Sequence, residues 1–176
     1  MKKASRFMPK YTSPPTSMVG WIILALILAF FVWLFYSAPI LLVVLPFVAL
    51  FLYSDNKKRK AHFQELLSKR EHYSICEFSK YFDCKEIDTW VIRAVYEQLQ
   101  DYLKSEHEQF PVLPEDDIFI DLKIDDEDFE YDIVEEISSR TGRTLMNVEN
   151  NPYYGKANIV KNLVYFFNEQ PVVNAT

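Results

Sequence analysis

The chain opens with an almost unbroken apolar run. From 18 to 54 no side chain ionises except tyrosine, and basic residues lie on both sides of the run. A single helix of that length would extend about 55 Å, nearly twice a hydrocarbon core of about 30 Å. The pattern therefore predicts two spans, 18–36 and 39–53, turning at Ser37-Ala38-Pro39, where proline removes a backbone donor and disfavours helix before it. Pro46 should kink the second span or leave it shallow. Trp21, Trp33, Tyr36 and Tyr53 fall near the ends, as interfacial rings do.

Beyond 56 the spacing changes to alternating apolar and polar helical faces. Phe63, Leu66 and Leu67 give a narrow stripe to a helix over 57–70. Ile75, Phe78, Tyr81 and Phe82 fit a short helix within 73–84. A stronger one covers 88–104, capped by Asp88 or Thr89, with Val91, Ile92, Val95, Leu99, Tyr102 and Leu103 as its apolar face. The loop through Pro111 and Pro114 carries Val112, Leu113, Ile118, Phe119 and Ile120, enough apolar surface to pack down. Phe129, Ile133 and Ile137 recur every four residues in a helix from 126 to Gly142, a natural left-handed stop. After an irregular stretch, 147–155, the helix over 157–169 buries Ile159, Leu163, Val164, Phe166 and Phe167, and Pro171 closes it. The expected fold class is all-α: a transmembrane helical hairpin followed by a small four-helix bundle.

Charge sharpens the division. Residues 1–60 carry a net +7 and residues 61–176 a net −13, within a chain total of −6. Basic flanks at 2–10 and 57–60 put both termini in the cytoplasm by the positive-inside rule, which describes a multi-pass protein of the bacterial inner membrane. The run is too long for a signal-peptide core. The expected division is a basic N-terminus (1–17), the hairpin meeting the lipid bilayer (18–54), a basic juxtamembrane helix (55–72), an acidic domain (73–170) and a tail (171–176). The acidic domain repels nucleic acid, whose binding needs cations against phosphate, and favours partners with basic patches.

Candidate chemistry is sparse. Cys76 and Cys84 lack Cys-x-x-Cys spacing and a second pair, so they are expected as reduced, partly buried thiols; a disulfide would require the opposite topology. His62, His72 and His107 show no ligand spacing, and three glycines build no phosphate loop. Between Glu115 and Glu136 lie twelve acids and one cation, Lys123. An EF-hand register starting at Asp126 places Tyr131 at position 6 and Ile137 at 12; starting at Asp125 it places Phe129 at 5. Neither fits. Acids at successive helix positions point apart, so paired acid–base catalysis finds no geometry. No enzyme, cofactor or metal site is expected.

The stretch Asp121-Leu122-Lys123-Ile124-Asp125-Asp126-Glu127-Asp128-Phe129, with Val134-Glu135-Glu136-Ile137 and the segment 159–170, resembles a bacterial acyl carrier protein over 87–170. It is closer still to an uncharacterised bacterial carrier-like family, a domain of unknown function. The resemblance implies a first helix, a packed loop, an acidic recognition helix, a short third helix and a last one. Asp126 stands where the family has the serine that carries phosphopantetheine, and a carboxylate cannot form that ester. Ser138 and Ser139 lie too far along the helix to replace it. What the resemblance leaves is a docking surface: Asp125, Asp126, Glu127, Asp128, Glu130, Asp132, Glu135 and Glu136 as contacts to a basic protein, an acyl- or lipid-handling enzyme being one such. The expected function is a membrane-anchored, non-catalytic interaction module. The alternative is a small membrane-protein regulator or immunity-type protein acting through its hairpin.

Overall fold

The structure, a computed structural model, describes residues 4–8, 17–37, 41–70 and 73–173, without the side chains of 35 and 41–43. It is all-helical, and no strand forms among the described residues. The chain divides into two compact units, 12–62 and 1–11 together with 63–176.

The first unit holds α1 (Met18–Ser37) and most of α2 (Leu41–Lys69). α1 carries no charge and exposes most of its described large side chains, Trp21, Trp33 and Tyr36 among them. The sequence pattern predicts two membrane spans here, and the structure corrects that. Among the described residues no helix is long and apolar enough to cross a membrane. In α2 the uncharged stretch, 41–54, extends about 21 Å at about 1.5 Å per residue, against a core of about 30 Å. Tyr53 ends nothing. α2 runs on through Asp55 and the basic cluster to Lys69, so the segment 39–53 belongs to a longer helix with a charged second half. The expected break at Ala38-Pro39 lies outside the described residues. The transmembrane hairpin, the multi-pass inner-membrane placement and the orientation built on it are therefore set aside.

The second unit is built on α4 (Thr89–Tyr102), whose Val91, Ile92, Val95 and Leu99 are buried. Asp88 caps it, its carboxylate accepting from the Trp90 N–H at 3.0 Å. α3 (Ile75–Lys80) packs against α4 and starts with a capping box between Ser74 and Glu77. Phe78 at its centre is buried against Phe82 and Tyr96. The end of α2 joins this core through Phe63, whose ring meets Phe110 edge-on at 5.4 Å. The loop 106–125 packs down: Phe110, Val112, Ile118, Leu122 and Ile124 are all buried. Arg70 holds it by a two-pronged ion pair to Asp116.

The acidic helix follows as three joined segments: α5 (Asp126–Asp128), a π-helical stretch (Phe129–Val134) and α6 (Glu135–Thr141). A 3-10 turn at Val148–Asn150 precedes α7 (Val160–Glu169). α7 buries Val160, Leu163, Val164, Phe166 and Phe167; Ile159, expected inside, is half-exposed because it precedes the first turn. Both α6 and α7 pack on α4. Cys76 and Cys84 are free and exposed, against the expectation of partial burial.

Candidate functional site

The acid-rich segment 115–136 does two different jobs. Its first half shapes the loop. Asp116 is buried against Arg70 and accepts from the Leu113 N–H at 2.8 Å. Burial pushes its carboxyl above the usual carboxylate range, opposed by that N–H and by the guanidinium. Asp117 accepts from the N–H groups of Phe119 and Ile120, both at 2.9 Å, and from the Asn158 amide at 3.0 Å. Asp121 accepts from the Asp117 N–H at 2.9 Å. These three carboxylates replace missing backbone partners in a chain that forms neither helix nor sheet there.

The second half is the helix. Asp125 caps it, accepting from the Asp128 N–H at 2.8 Å. The apolar residues then come every fourth position, Phe129, Ile133 and Ile137. An α-helix turns every 3.6 residues, so a four-residue repeat drifts about 40° per step away from the core. The wider i→i+5 winding over Phe129–Val134 offsets that drift, and Ile133 and Ile137 both stay buried. Phe129 packs edge-on against Phe119 at 5.4 Å.

α4 supports this helix from behind with two polar side chains one turn apart. Gln98, itself buried, donates its amide to the Asp132 carbonyl at 3.2 Å and to the Glu136 carboxylate. The Tyr102 hydroxyl donates to the Asp128 carboxylate. Near the helix end Arg140 is buried and paired with Glu97, which also pairs with Arg93 at 2.7 Å. Gly142 stops the helix at φ +67°.

These contacts sort the eight carboxylates predicted as partner contacts. Asp125, Asp126, Glu127, Glu130, Asp132 and Glu135 are exposed, as is Tyr131 between two of them. Asp128 and Glu136 are half-buried and tied to α4. Sequence reasoning missed Gln98 and placed Tyr102 only in the apolar face, although a glutamine within that face of α4 was a signal that something polar lay opposite. Asp126 opens α5 facing solvent. Ser138 is half-buried, donating to the Arg143 carbonyl at 2.5 Å.

Among the described residues no cluster of three or more His, Cys, Asp or Glu could hold a metal ion. No protein-family model, curated protein or solved structure matches the chain.

Proposed function

We propose that the acidic unit is a non-catalytic docking module, and that its exposed carboxylates bind the basic face of another protein. One observation carries this reading. Six of the eight carboxylates point to solvent from a helix whose inner side is pinned by Gln98 and Tyr102. A rigid display of like charge loses little conformational freedom on binding, and its field steers an oppositely charged partner.

The acyl-carrier-like reading belongs to the same proposal. The order of a first helix, a packed loop, an acidic helix, a short turn and a last helix supports it. The carboxylate of Asp126 supports a module that keeps the recognition helix of such domains without the prosthetic arm. A basic acyl- or lipid-handling enzyme is the partner class this resemblance suggests.

The test is affinity capture with the full chain beside a variant carrying Asp126→Asn, Glu127→Gln, Glu130→Gln, Asp132→Asn and Glu135→Gln. Asp128 and Glu136 are left intact so that the helix stays attached to α4. A partner recovered by the native chain, lost with the variant and weakened by added salt supports docking. Equal recovery by both chains refutes it.

A further inference from the structure

The only two cysteines of the chain lie eight residues apart and line the same small cavity, about 170 Å³, with Ser79, Thr89, Ile92 and Arg93. Both thiols are exposed. Both also relate to one residue: the Ser79 hydroxyl donates to the Cys76 carbonyl at 3.0 Å, and the Cys84 sulfur lies 3.9 Å from the Ser79 carbonyl. We propose that Cys76 and Cys84 form a dithiol that closes into a reversible intramolecular disulfide across this cavity.

The two sides of the cavity are built differently. Cys76 is in the first turn of α3, held by the Ser74–Glu77 capping box. Cys84 is in a turn, 83–86, whose side chains are all exposed. A disulfide brings its Cα atoms to about 4.4–6.8 Å, and the adjustable side is the turn, since moving it opens no core. Buried Phe82 and Ile87 anchor the chain on either side of it.

The oxidant is another disulfide, such as oxidised glutathione. One cysteine thiolate attacks a glutathione sulfur, the glutathione S–S bond breaks, and one glutathione leaves as thiolate. The second cysteine thiolate attacks the protein sulfur of that mixed disulfide and releases the other glutathione. The protein loses two electrons and two protons; the oxidant gains them and ends as two thiols.

Intact-mass measurement of the reduced, purified full chain after oxidised glutathione decides the matter. The expected main product is a monomer lighter by two hydrogens, with no glutathione retained and full recovery by dithiothreitol. Cys76→Ser and Cys84→Ser chains should each instead accumulate one glutathione adduct, because the resolving thiol is gone. Circular dichroism of both variants checks that the helices remain. A native chain that keeps two glutathiones, stays unmodified, or becomes a disulfide-linked dimer overturns the proposal.

Discussion

Arg70 grips Asp116 with both arms of its guanidinium, at 2.8 and 2.6 Å, and both side chains are almost wholly buried. The pair fastens the segment after α2 to the loop that leads into the acidic helix.

Removing one partner leaves a buried charge alone, which costs about 3–5 kcal/mol. Arg70→Ala should lose about that much in urea unfolding, whereas the double change Arg70→Met with Asp116→Leu should recover most of it. Burial raises the Asp116 pKa in the folded chain. The stability linked to its protonation is therefore complete below the ordinary carboxylate pKa of about 3.9 and is lost as pH rises through the raised value. Unfolding at a series of pH values should show the native chain gaining on Asp116→Asn as pH falls through that window.

Tyr96 offers an alkaline counterpart. Burial beneath α3 and the Tyr73 side pushes its hydroxyl to about 12. Ultraviolet titration should find one tyrosine ionising about two pH units above the ordinary value near 10, and Tyr96→Phe should abolish that step. Because the folded pKa is the higher one, stability falls as pH rises from 10 toward 12, and Tyr96→Phe should lose less over that range.

The two kinds of carboxylate in the acidic helix should separate cleanly in stability measurements. Tyr102→Phe removes the donor to half-buried Asp128 and should cost about 1.5–2 kcal/mol, the lower part of the range for a bond to a charged group. Asp126→Asn and Glu130→Gln, at exposed positions, should stay within about 0.5 kcal/mol. Equal losses at all three sites would mean the outward carboxylates are part of the fold.

Gly142 ends the helix at φ +67°, with open space where a Cβ would stand. Gly142→Ala therefore meets no neighbour but must still adopt left-handed backbone, costing about 1–2 kcal/mol. Gly142→Asn should cost less, since asparagine tolerates that conformation better. Thermal unfolding of the two variants distinguishes a backbone cost from a packing one.

Much of the second unit was legible in the residue pattern. The Asp88 cap, the Gly142 stop, the buried faces of α4 and α7, and the packed loop all follow from spacings within one or two turns. The helix read over 57–70 proved to be the second half of α2, continuous with the apolar residues before it, since lysine, glutamate and leucine all continue a helix well. The pattern could not tell Asp128 from Asp126, since both are acids in one first turn and differ only in what α4 places opposite.

By itself the sequence determined an all-helical chain, its caps and stops, most of its core, and a strongly acidic second part. Those depend on local backbone preference and on which residues shun water, and both are properties of neighbouring positions. The tertiary structure alone decided which carboxylates face outward, that Gln98 and Tyr102 hold the acidic helix from behind, and that Arg70 closes on Asp116. Each of these needs a partner many residues away, and only the packed chain chooses among the partners on offer.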